Sequence, residues 1–321
     1  MKRRDFISLI GGAAAWPLAS RARPGKSHTI LWVSTDAQPD PFIDGFREGM
    51  RALGYGEGRN LVFVLRYAPG DPAALQVMLP ELLAIPADLI VSSGPAIRAM
   101  RAATGKPVLF AISGDPVALG IAQSLSRPGR NFTGSTFLSL EVAQKRVHLL
   151  RELLPDLRPL VVLSNTSHPG EAAEYEATKA AASALSIDLA YAAFGSGPEL
   201  EGALERVRAS GAGAMLVFPD GVTMVHRAKI AEFARTHRLP SMFGWREYCE
   251  AGGLASYGAN QRAAYVRLAA YADRLLRGES PGELPIEQPT KFELVLNLRT
   301  ARALGLEIPP ILLARADEVI E

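Results

Sequence analysis

The chain has one cysteine in 321 residues and only five histidines. Cys249, in Tyr248-Cys249-Glu250, can form no internal disulfide and has no metal-ligand spacing around it, so it reads as a small buried side chain. The usual catalytic signatures are missing as well. There is no Gly-x-Ser-x-Gly elbow, no His-Glu-x-x-His pair, no phosphate loop ending in Gly-Lys-Ser/Thr, and no Gly-x-Gly-x-x-Gly after the first strand pattern. Four histidines, His28, His148, His226 and His237, fall at the start of the main chain body or on predicted helices, and His168 lies in a loop with no cysteine near it. No metal or cofactor is expected, and the absences favour a protein that binds without transforming.

A long membrane-spanning run is lacking at the N-terminus too. The apolar core from Leu9 to Leu18 is roughly ten residues, broken by Gly11, Gly12 and Pro17, against the ~20 needed to cross a bilayer. Lys2-Arg3-Arg4-Asp5-Phe6-Ile7 precedes it and Ser20-Arg21-Ala22 follows, the pattern of a twin-arginine or Sec-type export signal over residues 1–22. Periplasmic location is therefore expected. Without residues 1–22, Lys+Arg falls from 35 to 31, Asp+Glu from 33 to 32, and the formal charge from +2 to −1. That leaves no basic excess for nucleic acid.

What the sequence has in abundance is short apolar runs alternating with amphipathic stretches, the grammar of βα units and mainly parallel sheets. Strands are predicted at 29–34, 61–67, 89–92 and 107–112, with helices starting at Asp40-Pro41 and Asp71-Pro72 and another over 95–103. A strand predicted at 131–135 leads out of the first series. The second runs through helix 141–154, strand 160–164, helix 171–185, strand 188–194, helix 199–209, strand 214–218, helix 222–237 and strands 240–243 and 254–257. Helix 261–276 and a segment from 291 to 297 complete the pattern. The expected fold class is α/β with two Rossmann-like lobes, one of residues 27–138 plus 259–321 and one of residues 139–258, the length being sufficient for two cores.

In open α/β sheets, ligands sit beyond the carboxyl ends of the strands. Four loops there are rich in small polar residues: Ser34-Thr35-Asp36, Ser92-Ser93-Gly94, Ser113-Gly114-Asp115 and Asn165-Thr166-Ser167. Free N–H groups at a helix start, with a serine hydroxyl beside them, suit a carboxylate; plain helix capping is the alternative, above all for Asp115. On the second lobe, Asp220 or Glu247 could pair with an ammonium, and Trp245 or Phe218 could cover a ring-shaped portion of a ligand.

Residues 2–18 closely resemble the start of a large group of proteobacterial ABC transporter substrate-binding proteins, the group that includes tryptophan-binding relatives. Further segments are similar in the same order: Gly45-Phe46-Arg47-Glu48-Gly49, Ser113-Gly114-Asp115-Pro116-Val117, Arg127-Pro128-Gly129, Arg246-Glu247-Tyr248, the run from Gly252 to Gly258, and Gln288-Pro289-Thr290-Lys291-Phe292-Glu293-Leu294. The resemblance implies a type I periplasmic-binding-protein fold with a multi-strand hinge. It also implies a small solute held between the lobes for an ABC permease and its ATPase. By the same resemblance Ser93 and Ser113 would contact a carboxylate and Asp220 or Glu247 would face an ammonium, while Asp115 would cap its helix or hold the ammonium itself. Two other functions fit such a fold: a periplasmic sensor module, and an exported isomerase or hydrolase using Asp115 and Glu247 as acid and base. A DNA regulator is disfavoured because no helix-turn-helix pattern precedes the first strand.

Overall fold

A computed structural model describes residues 27–35, 41–68, 72–101, 105–137 and 140–321. The expected export signal and the expected caps Asp40 and Asp71, as well as Asp36, lie outside the described residues.

The first lobe alternates β1 (His28–Ser34), α1 (Pro41–Ala52), β2 (Leu61–Tyr67), α2 (Pro72–Ala84), β3 (Leu89–Ser93), α3 (Ala96–Met100), β4 (Val108–Ile112) and β5 (Phe132–Thr136). Its sheet has the order β2-β1-β3-β4-β5 and every pair is parallel. β3 and β4 are buried along their whole length, as the continuous apolar runs require of strands covered on both faces. Residues 116–120, expected to open a helix after Asp115, form a series of turns instead.

The second lobe follows with α4 (Leu140–Leu153), β6 (Leu160–Asn165), α5 (Glu171–Ala184), β7 (Leu189–Phe194), α6 (Leu200–Ala209), β8 (Ala214–Val217), α7 (Gly221–Val225), α8 (Arg227–Thr236), β9 (Ser241–Phe243), α9 (Arg246–Glu250) and β10 (Ala255–Gly258). The single helix expected over 222–237 is thus divided at His226, which ends α7. The chain then returns to the first lobe as α10 (Gln261–Leu276). It ends as β11 (Glu293–Asn297), α11 (Leu298–Leu304), α12 (Pro310–Arg315) and β12 (Glu318–Ile320). The second sheet has the order β12-β11-β10-β9-β8-β6-β7.

This tail departs from the expected division, which placed all of 259–321 with the first lobe. β11 pairs antiparallel with β10, Ala255 opposite Leu296, and β12 adds in parallel to β11. Leu294 and Leu296 pack into the second lobe's core with Met242, Leu254 and Ala255. Arg246 fastens the arrangement from α9, reaching Glu293 at 3.8 Å and Glu318 at 2.5 Å.

Only α10 and the segment after it stay with the first lobe. α10 crosses α1 at close range because Gly45 and Gly49 lie one turn apart: a Cβ on Gly49 would come within 2.5 Å of the Val266 carbonyl oxygen. The residues that follow run beside β5. Thr136 N–H donates to the Glu287 carbonyl, Glu287 N–H to the Gly134 carbonyl, and the Thr133 hydroxyl to the Leu284 carbonyl. The chain therefore crosses between the lobes three times, after β5, after β10 and before β11, and these strand ends form the hinge.

Candidate functional site

The carboxyl ends of β1, β3 and β4 in one lobe and of β6, β8 and β9 in the other face a narrow chamber of about 30 Å³. A larger recess of about 490 Å³ opens at the hinge beside Asp115, Thr136, Gln288 and Phe292. The narrow chamber is the better candidate, because buried polar groups and aromatic rings from both lobes meet there.

Its walls are aromatic. Phe42 of α1 stacks on Tyr265 of α10, with ring centroids 5.1 Å apart and planes 8° from parallel. Trp245, just beyond β9, meets Phe42 edge-on across the lobes at 5.6 Å, and Phe137 of the first crossing lies 6.4 Å from Tyr265. Such rings present apolar faces and slightly positive edges, suited to gripping a flat or apolar solute.

Of the sequence-derived candidates, Ser93, Gly94, Ser113, Asp220 and Trp245 line this chamber. The Ser93 hydroxyl donates to the Ser34 hydroxyl at 2.9 Å, which places Ser34 one layer behind the wall. Thr35 is buried, with its hydroxyl oxygen beneath Gly94. Ser92 points the other way, as alternation along β3 demands, and is wholly buried. Asn165 supports Asp220 by donating its amide to Oδ1 at 3.1 Å.

Asp220 is first a helix cap. Its Oδ1 also accepts from the N–H of Val222 at 2.7 Å and of Thr223 at 3.3 Å, and its Oδ2 accepts the Thr223 hydroxyl at 2.9 Å. Burial raises its carboxyl pKa while those hydrogen bonds oppose the rise.

Three candidates lie away from both the chamber and the layer behind it. Phe218 follows β8 on the opposite side of the sheet, where it packs in the second lobe's core with Leu160, Val162 and Leu216. Glu247 lies in the first turn of α9, and burial raises its pKa. Asp115 is exposed and accepts from the Val117 N–H at 2.8 Å and the Ala118 N–H at 3.2 Å, so it caps a turn at the hinge recess. Asp115 and Glu247, the acid and base of an enzymatic reading, are therefore not assembled around the chamber.

The structure adds residues that were not singled out as site candidates. His168 and Gln261 line the chamber from opposite lobes, 4% and 1% exposed. Behind Ser113, Phe137 and Trp245 lies an adjoining recess holding Arg146 and Glu174. Arg146 donates from Nη1 to Glu174 Oε1 at 2.6 Å and from Nε to the Tyr257 carbonyl at 2.8 Å. Burial pushes both groups toward neutrality, lowering the arginine pKa and raising the glutamate pKa. The arginine carried a legible signal, since it stands on α4 among Val142, Ala143, Val147 and Leu150, a stripe otherwise apolar.

Burial, with the positive charges of Arg98 and Arg146, holds the His168 pKa down to about 3. The unfolded chain takes a proton there at about 6.5 and the folded chain refuses it. His168 therefore leaves stability unchanged above about pH 7 and costs the fold about 2 kcal/mol at pH 5, the loss growing toward pH 3. His168→Leu should lack this share of the acid sensitivity. Denaturant midpoints of both proteins at pH 7.5 and 5.0 check it, and parallel losses in the two would contradict it.

Comparison with known proteins places this geometry. Residues 29–320 match the family model for ABC transporter substrate binding protein. A tyrosine-binding protein of Clostridioides difficile is 23% identical over 266 residues, covering 82% of this chain and 76% of that one. Among solved structures, a conserved domain protein from Vibrio cholerae is 26% identical, with a TM-score of 0.84 over 92% of this chain and 100% of that chain. An ABC domain from Streptococcus pneumoniae in complex with L-Trp is 24% identical with the same TM-score and the same coverage. With the match extending from β1 to β12, the chain belongs to the ABC transporter substrate-binding protein family.

Proposed function

We propose that this chain is an extracytoplasmic receptor that captures an amino acid with an aromatic side chain and presents it to an ABC importer. The observation that carries the reading is the chamber itself, in which Phe42 and Tyr265 of one lobe and Trp245 of the other meet around a space edged by Ser93, Ser113 and Asp220. At about 30 Å³ it has room for one water, so the lobes part at the hinge to admit the solute. The ring lies against the aromatic walls. The carboxylate meets the Ser113 hydroxyl and the Ser93 hydroxyl, which turns from Ser34 to donate to it, with Arg146 in the recess behind Ser113 supplying positive potential. The ammonium faces Asp220, whose oxygens also hold the start of α7. The names of a tyrosine-binding relative and of a neighbour solved with L-Trp support this ligand class. Residues 1–22 act as the export signal in this reading, and no helix among the described residues is long and apolar enough to cross a membrane.

Thermal-shift screening of the purified chain against amino acids, aromatic acids and sugars tests the proposal, because a solute that binds only the folded state raises Tm. Aromatic amino acids should raise Tm and be recovered with unchanged mass. A shift from sugars alone, or a chemically altered compound, would contradict it.

A further inference from the structure

His168 and Gln261 are the two buried polar side chains of the chamber wall with hydrogen-bonding atoms left over. Both ring nitrogens of His168 and the amide nitrogen of Gln261 are buried without a hydrogen-bond partner. Native structures rarely leave such groups unsatisfied, since each has given up water for nothing in return. The neighbouring polar groups are committed elsewhere: the Ser93 hydroxyl to Ser34, the Asp220 carboxylate to α7 and Asn165. The two orphaned groups come from different elements on opposite lobes, the loop after β6 and the first residue of α10, and both border the same space.

We infer that His168 and Gln261 form an uncharged hydrogen-bonding station that recognises a neutral polar group on the ring of the solute, a hydroxyl or a ring N–H. The inference rests on reading the chamber as the solute site. A neutral imidazole offers one donor and one acceptor, and the Gln261 amide nitrogen offers donors. Arg98 and Arg146 supply positive potential around His168, so a second cationic group on the ring is disfavoured there. A bare hydrocarbon ring would leave all three nitrogens unpaired. The station thus discriminates between rings of nearly equal size and, because its halves belong to different lobes, it engages the solute from both sides.

Calorimetric titration of the full chain with L-tyrosine, L-tryptophan and L-phenylalanine tests this, in the wild type and in the separate variants His168→Leu and Gln261→Met. The wild type should bind tyrosine or tryptophan at least about tenfold more tightly than phenylalanine. In each variant that preference should shrink to about threefold or less. Removing an orphaned polar group should also leave the Tm of the solute-free variant equal to or above that of the wild type, whereas a structural role would lower it. A wild type that prefers none of the three, or a preference that survives both substitutions, overturns the inference while leaving the chamber as the solute site. A wild type that binds none of the three overturns the chamber reading as well. Should one variant fail to fold, the other carries the same comparison.

Discussion

Replacing Glu174 by leucine should cost about 3–5 kcal/mol of stability, the largest loss expected from any single side chain around the site. Its carboxylate and the Arg146 guanidinium are 5% and 6% exposed, and the substitution would leave an arginine charge buried with only the Tyr257 carbonyl to face. Buried pairs gain little over an apolar pair of similar size, but half a pair is costly. The double variant Arg146→Met/Glu174→Leu should therefore recover most of the loss. The recovery would fall short by about 1 kcal/mol because the Tyr257 carbonyl loses its donor. Urea midpoints of the four proteins complete the cycle. A Glu174→Leu loss below about 1 kcal/mol, or a double variant no more stable than the single one, would mean that the pair is neither isolated from water nor coupled. The pair does more than stabilise. It holds a cation behind Ser113, where the proposed carboxylate is received, while Glu174 keeps that cation tolerable in the solute-free protein.

Trp245→Leu should weaken binding of an aromatic amino acid by about 30-fold or more, with Tm changed by only a few degrees. The indole is the second lobe's contribution to the aromatic enclosure, and its edge contact with Phe42 is made between lobes. Leucine keeps an apolar filling but removes the flat face. Phe218→Leu is the control. Phe218 packs in the second lobe's core, so its replacement should lower stability by about 1–2 kcal/mol and leave affinity unchanged. Affinities measured by calorimetry should separate the two variants; an affinity for Trp245→Leu within threefold of the wild type would remove the indole from the site.

The contrast between Trp245 and Phe218 shows where sequence reading stopped. Both are aromatic residues just past a strand in the second lobe, and spacing places either at the cleft. Which one faces it depends on the side of the sheet taken by the last strand residues: Val217 and Phe218 lie in different cores. The alternation of strands and helices was legible because each parallel strand is a continuous apolar run bounded by capping or turn residues, as in β3 and β4. The destination of the tail was not, because β11 joins the second sheet through antiparallel pairing with β10, a contact between segments separated by α10 and the hinge. Asp220 carried its cap in its own neighbourhood, with Thr223 three residues on completing a capping box. Arg146 and Glu174 are 28 positions apart and meet only after α4 and α5 have packed. In the sequence His168 reads as a lone loop histidine, and only its burial on a chamber that Gln261 also lines gives it weight.

The most direct test of the account is a crystal structure of the chain grown with whichever aromatic amino acid raises Tm most. The account predicts one solute molecule between the lobes, its ring among Phe42, Tyr265 and Trp245, its carboxylate at Ser93 and Ser113, and its ring substituent within hydrogen-bonding distance of His168 or Gln261. A solute found in the hinge recess beside Asp115, or on the outer face of one lobe with the chamber unchanged, would contradict it.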